Sequence, residues 1–253
     1  NDAWAWCFDA PEPTEAMRQG RIQAYSTYTN EMTRLAAALD ALHCRIIFIK
    51  PSPYDQTARI REKNLPGKDD LLKRFGDFLD TLAAQHGGFV VDFHEPLLPV
   101  NRALQAKDPA ATVIGYDRVH PGAPGHFVMA WAFLRAENMP RLVSALEVDA
   151  ASGRIRQQEN FTVHEGAEIA PDRVAFTCFE RALPFPVTDE QREALEWIPF
   201  EEQLNQQLLK VTGLQPGTYE LRIDGITVGA FSSAQLARGI NLADNPATPQ
   251  HQQ

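Results

Sequence analysis

One stretch of twelve residues, 115–126, combines a carboxylate and an imidazole at a spacing that could support catalysis. Asp117 lies three residues before His120, and Pro121 follows the histidine directly. Because proline has no N–H and a fixed φ, the backbone here should form a loop. An Asp at this distance can bind one ring nitrogen and leave the other free as a general base. The two residues predict part of an acyl-transfer triad; in the plain alternative Asp117 only caps a turn.

The same stretch also offers ligands for a metal ion. Asp117, His120 and His126 supply carboxylate oxygen and imidazole nitrogen, which zinc accepts, and His94 is a candidate fourth ligand. The sequence has no His-Glu-x-x-His helix of the kind that binds zinc in many peptidases. A metal-dependent hydrolase built on these residues is therefore kept as a second alternative.

The order of residues in this stretch resembles the last conserved block of the SGNH (GDSL-type) hydrolases. The matching features are Asp-x-x-His-Pro at 117–121, Gly-His at 125–126 and the apolar helix that follows. The start of the chain, Asn1-Asp2, is similar to the end of the Gly-x-Asn-Asp block of that family. The resemblance covers about residues 1–140.

This resemblance implies a role for three residues. Asp117 is the expected catalytic acid and His120 the expected base, while Asn1 is expected to donate a hydrogen bond to the oxyanion hole. The resemblance also implies a partial, flavodoxin-like SGNH core with three α/β/α layers, and a reaction without metal or cofactor.

The sequence departs from the family at the nucleophile. The family's serine lies in a Gly-Asp-Ser block near the N-terminus, and no such block is present. Neither a Gly-Asp-Ser block nor a Gly-x-Ser-x-Gly turn surrounds any of the serines, which are Ser26, Ser52, Ser144, Ser152, Ser232 and Ser233. We therefore expect a fragment that begins partway through a catalytic domain and is inactive as it stands.

Charge and cysteine content exclude several classes of partner. A net charge of −9 argues against nucleic acid and against anionic lipid head groups. No apolar run approaches the roughly 18 residues needed to span a bilayer. Three widely spaced cysteines exclude a disulfide framework and a thiolate zinc site, but leave one bridge open. A neutral small-molecule or carbohydrate ester is the expected substrate, and nothing here sets the oligomeric state.

Helical and β-branched stretches alternate through the first part of the chain. Such alternation predicts an α/β fold with a parallel sheet covered by helices, whose sites collect at the carboxyl ends of the strands. Thr14 is the expected N-cap of the first helix, and Gly87 the expected end of the second. The predicted elements are a helix at 15–42, a strand at 44–49, a helix around 71–82, a strand at 89–93, a short helix at 101–105 and a helix at 123–138.

The pattern changes near residue 141, where a smaller β-rich module should begin. We expect a hairpin of 145–149 with 154–156, strands at 160–164 and 173–176, and a three-stranded meander of 208–211, 219–223 and 226–228. Ser233 is the expected cap of a short helix. The predicted domains are a partial hydrolase core at 1–140, the β-rich module at 141–240 and a polar tail at 241–253.

These patterns favour a serine esterase or acylhydrolase that acts on carboxylic ester bonds. Acetylated carbohydrate is the favoured substrate, because a β-rich module is attached and no lipid-facing segment is evident. The first alternative is a non-catalytic protein with a degenerate hydrolase core, whose β-rich module recognises a glycan or another partner. Sequence preceding Asn1 would distinguish the two hypotheses.

Overall fold

The computed structural model describes residues 4–251, and the chain forms two compact units that join between Asn138 and Met139. The first unit combines helices with a parallel pair of strands, and the second consists mainly of strands. The predicted α/β fold class is confirmed. No helix within the described residues is long and apolar enough to cross a membrane.

The first unit contains every helix and strand that the sequence predicts for it. In chain order they are α1 (Glu15–Asp40), β1 (Ile47–Lys50), α2 (Lys68–His86), β2 (Phe89–Asp92), α3 (Leu97–Lys107) and α4 (Ala123–Ala136), with a short 3₁₀ helix (Ala5–Phe8) before α1. Thr14 caps α1, since its hydroxyl accepts a hydrogen bond from the amide of Met17 at 3.3 Å. Gly87 ends α2 at a φ of 64°, which glycine adopts without strain. Local signals therefore fix these ends.

Strands β1 and β2 pair in parallel from Ile47 beside Phe89 to Lys50 beside Asp92. Phe48 and Val90 face a core that includes Leu79 and Leu82 of α2. Because side chains alternate along a strand, Val91 and Ile49 lie on the opposite face. Val91 is fully buried there, and α4 packs on β2. Ile49 beside it is 42% exposed, so this face of β1 is not covered by the described residues.

The second unit contains many short strands. They are β3 (Leu142–Asp149), β4 (Arg154–Glu159), β5 (Phe161–Val163), β6 (Glu168–Ala170), β7 (Arg173–Ala175), β8 (Cys178–Glu180), β9 (Gln206–Thr212), β10 (Thr218–Ile223), β11 (Ile226–Ser232) and β12 (Ile240–Asn241). The helices are α5 (Phe200–Leu204), α6 (Ser233–Arg238) and two 3₁₀ helices (Arg192–Glu196 and Pro249–His251). This unit is β-rich, as expected.

The predicted three-stranded meander is wrong. Strands β10 and β11 do form a hairpin around Asp224-Gly225, but β9 pairs in parallel with β3 and antiparallel with β12. A four-stranded sheet of order β12-β9-β3-β4 results. Val148, Leu209 and Val211 are buried in its core. Alternation along β9 predicts which face is buried and does not specify the neighbouring strand.

Two further expectations about the second unit need correction. The cap of α6 is Ser232 rather than Ser233, and it forms a capping box with Gln235. Residues 241–251 do not form a free polar tail, because Leu242, Ala243 and Thr248 are buried.

The three cysteines are free thiols, so the single bridge left open by the sequence is not formed.

Candidate active site

In the loop between α3 and α4, the backbone at Gly115 passes very close to the backbone at His120. Gly115 has a φ of 94°, and a β-carbon at this position would lie 2.1 Å from the carbonyl oxygen of His120. A second close approach follows at Gly125, where a β-carbon would lie 2.7 Å from the carbonyl oxygen of Val113. Only glycine can occupy both positions without moving the backbone. The loop therefore returns on itself, and the side chains of Asp117 and His120 are exposed to solvent.

Asp117 is held by the backbone of its own loop. Its Oδ1 accepts hydrogen bonds from the amides of Val119 and His120 at 3.0 and 2.9 Å. Its Oδ2 binds Nδ1 of the His120 ring at 2.6 Å. The hydrogen bond from the His120 side chain, followed by those from the two amides, lowers the pKa of Asp117 to about 2. The carboxylate is therefore ionised and fixed in orientation at neutral pH.

His120 is arranged as a general base would be. Its Nδ1 is bound to Asp117, and the side chain is 78% exposed. With Nδ1 protonated, Nε2 carries the free lone pair and can take a proton from an attacking hydroxyl group. The structure thus brings Asp117 and His120 together as the sequence predicts, and adds the two amide hydrogen bonds that orient the carboxylate.

The other predicted site residues have different outcomes. Asn1 lies outside the described residues, so its expected part in an oxyanion hole stays a prediction. His126 is an exposed residue of α4. Within residues 4–251 no three His, Cys, Asp or Glu side chains are grouped as a metal ion would require. The arrangement proposed for Asp117, His120, His126 and His94 as ligands is therefore not formed.

Several serines have other roles in the structure. Ser144 is fully buried and donates a hydrogen bond to Glu180 at 2.8 Å. Ser152 donates to Asp149 within a turn, and Ser232 caps α6. Ser26 lies within α1. None of these four is placed on the loop of the Asp117 and His120 pair.

A second Asp and His pair, which the sequence does not predict, lies after β2. Nε2 of His94 is 3.1 Å from Oδ1 of Asp69, the second residue of α2. The same Oδ1 accepts a hydrogen bond from the amide of Tyr54 at 2.8 Å. Burial lowers the pKa of His94, but the hydrogen bond and charge of Asp69 outweigh it, and the pKa is raised. His94 is buried and its Nδ1 makes no hydrogen bond to the described residues, so this pair is unlike the exposed pair of the loop.

Comparison with known proteins gives one extensive structural match. No protein-family model and no curated protein matches the sequence. A solved structure described as BT4096, a gut microbial diltiazem-metabolizing enzyme, is 32% identical and superposes with a TM-score of 0.86. The match covers 100% of this chain and 58% of the solved chain.

A second solved structure, LAE5, is described as an alpha/beta hydrolase enzyme from the metagenome of Lake Arreo, Spain. It is 26% identical over 46% of this chain and 47% of its own, with a TM-score of 0.31. That superposition is too poor to support an argument. The first match extends over the whole chain, and we conclude that this protein shares its mixed α/β fold with a segment of the diltiazem-metabolizing enzyme.

Proposed function

We propose that this chain is part of a serine hydrolase that cleaves carboxylic ester bonds. The observation that carries the proposal is the contact of 2.6 Å between Oδ2 of Asp117 and Nδ1 of His120, on a loop that leaves the imidazole exposed. Similarity to a solved protein described as an enzyme supports a catalytic role. The resemblance of this loop to the SGNH hydrolases supports the ester as the bond that is cleaved.

In this mechanism His120 moves one proton in each half of the reaction. A serine hydroxyl attacks the ester carbonyl carbon while Nε2 of His120 takes the hydroxyl proton. The tetrahedral intermediate collapses when the imidazolium returns this proton to the leaving alkoxide. Water then attacks the acyl-enzyme, again with His120 as base, and the acid and free serine are released. Asp117 remains ionised and stabilises the imidazolium.

We propose that the nucleophilic serine belongs to a segment outside these 253 residues. The chain spans 58% of the solved protein that it matches, so that protein has a large part with no counterpart here. Two-stranded parallel sheets are rarely stable alone, and β1 has an exposed Ile49 and one edge without a partner among the described residues. A further strand on this edge would complete the sheet. Asn1 is the proposed oxyanion donor, worth about 3 kcal/mol to the transition state.

We propose a neutral ester as substrate, with acetylated carbohydrate as the first class to test. The net charge of −9 disfavours anionic substrates. Tyr116 is an exposed ring directly before Asp117, and it offers an apolar face to the acyl or alcohol part of a substrate. The matched structure is described as a diltiazem-metabolizing enzyme, so diltiazem is a second test substrate.

The test uses the protein extended upstream to include the segment proposed to carry the nucleophilic serine. Hydrolysis of an aryl acetate, an acetylated sugar and diltiazem is measured for the wild type, His120→Ala and Asp117→Asn. Loss of the base should lower kcat/KM by about a thousandfold or more. Asp117→Asn should cause a loss of similar order, because His120 is then held in the wrong tautomer.

His126→Ala is the matched control in this experiment. It removes an exposed imidazole six residues from His120, and the serine mechanism predicts near wild-type activity. Loss of activity in this variant, together with loss on treatment with a chelator, would support the metal-dependent alternative instead. An extended wild type that is inert on all three substrates would contradict the ester hydrolase proposal.

A further inference from the structure

Arg118 lies between the two members of the Asp117 and His120 pair in sequence, but its side chain is buried. Only 2% of the residue is exposed, against 54% and 78% for the side chains of Asp117 and His120. The backbone of Arg118 has a φ of 69°, a left-handed conformation that is uncommon for a residue other than glycine. Such a conformation persists only where surrounding contacts stabilise it.

The contacts are made by the guanidinium group with the carbonyl oxygens of a neighbouring loop, residues 55–62. Nε and Nη2 donate to the carbonyl of Glu62 at 3.0 and 2.9 Å. Nη1 donates to the carbonyls of Asp55 and Ala58 at 2.8 and 3.1 Å. Four of the five N–H donors of the group are thus used. The planar guanidinium of arginine holds its N–H donors in fixed directions that match the three carbonyl oxygens around it. The ammonium group of lysine lacks this fixed arrangement of donors.

The backbone of Arg118 makes two further connections. Its amide donates to the carbonyl of Gly115 at 2.9 Å, and its carbonyl accepts from the amide of Asp55 at 3.0 Å. One residue therefore ties the loop of the pair to residues 55–62 through both its side chain and its main chain. These contacts cross 56 to 63 positions of the sequence.

The loop that holds the guanidinium is itself fixed by Asp55. Oδ1 of Asp55 accepts the amides of Thr57 and Ala58 at 2.9 Å each, and Oδ2 accepts Nε2 of Gln105 in α3 at 3.1 Å. Burial alone raises the pKa of Asp55, but hydrogen bonds lower it to about 2. The carbonyl groups that bind Arg118 are therefore held in place by the buried, ionised carboxylate of Asp55 and by its contact with α3.

We propose that Arg118 is the positioning residue that holds Asp117 and His120 in the geometry of the pair. A solvent-exposed Asp and His pair gains little from its charges, because water screens them and two side chains must be ordered. The buried guanidinium fixes the backbone between the two residues, so the exposed pair forms at little further entropic cost. The catalytic relevance of this positioning depends on the proposed function.

The experiment first measures the geometry without reference to activity. In the 253-residue protein, the carboxyl pKa of Asp117 is followed by NMR in the wild type, Arg118→Ala, Arg118→Lys and the control Arg61→Ala, an exposed arginine of the same loop. We expect the pKa to rise from about 2 toward the ordinary aspartate value in Arg118→Ala, and by a smaller amount in Arg118→Lys. Arg61→Ala should leave it unchanged.

Chemical rescue separates positioning from general stability. Methylguanidinium supplies the same donors and should return the pKa of Asp117 in Arg118→Ala toward the wild-type value, whereas methylammonium should not. In Arg118→Lys, the amides of Val119 and His120 should exchange hydrogen faster, while the amide of His126 in α4 keeps its protection. If Arg118→Ala does not fold, the lysine variant decides: a wild-type Asp117 pKa with unchanged exchange overturns the proposal.

Activity provides the second readout. In the extended protein, Arg118→Lys should lower kcat by about ten- to a hundredfold, as small misplacements of catalytic groups do. KM should be nearly unchanged, because the buried Arg118 side chain is not open to a substrate. An unchanged kcat would overturn the positioning role even if the pKa moved. If the wild type is inactive, the proposed function fails, but the NMR measurements still decide whether Arg118 holds the pair.

Discussion

Replacing Gly115 by alanine should destabilise the first unit, whereas the same replacement at Gly122 should have little effect. Both glycines lie in the loop of the Asp117 and His120 pair, seven residues apart. Gly115 has a φ of 94°, and Gly122 has a φ of −72° that any residue adopts. Gly115→Ala and Gly122→Ala therefore add the same methyl group at two positions of one loop that differ in backbone conformation.

The magnitude follows from the two environments. A β-carbon at Gly115 would lie 2.1 Å from the carbonyl oxygen of His120. The loop must open by roughly 1 Å to reach an ordinary C···O contact of about 3.3 Å. Positive φ costs alanine about 1–2 kcal/mol, and weakening one or two loop hydrogen bonds costs about 1 kcal/mol each. We expect a total of about 2–4 kcal/mol. At Gly122 the nearest atom is 3.9 Å away. Alanine there restricts the unfolded chain but is a poorer N-cap for α4 than glycine, and these opposing effects should leave a change within about 1 kcal/mol.

The assay is urea unfolding followed by tryptophan fluorescence in a Trp197→Phe background. The other three tryptophans all lie before residue 139, so the signal then reports on the first unit alone. Gly115→Ala should lower the unfolding midpoint with little change in slope, since the surface exposed on unfolding stays the same. Equal effects of the two alanines, or no effect at Gly115, would refute the argument from the close backbone contact.

Two further predictions concern groups away from the loop. Burial and the neighbouring Asp244 raise the pKa of Glu201 to about 7, from 4.5, so the folded state favours its protonated form. This stabilisation is complete below about pH 4.5 and is lost as the pH rises to about 7. Relative to Glu201→Gln, the unfolding free energy of the wild type should therefore fall by at most about 3 kcal/mol over this range, and parallel curves would contradict the assignment. The exposed neighbour provides the control Glu202→Gln, which should follow the wild type. In the first unit, Leu79→Ala should cost about 2–5 kcal/mol in urea unfolding because Leu79 is 1% exposed, while Leu35→Ala, at a residue 51% exposed, should change stability by less than about 1 kcal/mol.

The sequence by itself determined the features that depend on near neighbours. Asp117 and His120 are three residues apart, so the turn that joins them also brings the carboxylate to the ring nitrogen. Helix ends at Thr14 and Gly87 follow from a hydroxyl cap and a left-handed glycine, which are local preferences. The α/β fold class follows from alternating periodicities, which report how each element is buried.

Only the tertiary structure decided which distant groups meet. His94 pairs with Asp69, 25 residues earlier, and the guanidinium of Arg118 reaches carbonyls at least 56 residues away. The sequence predicts that β9 pairs with β10, but in the structure β9 pairs with β3. Periodicity predicts a buried face without specifying what covers it, and the backbone carbonyls that bind Arg118 are present at every residue. The positions of these partners depend on the path of the whole chain, and no local pattern of residues encodes them.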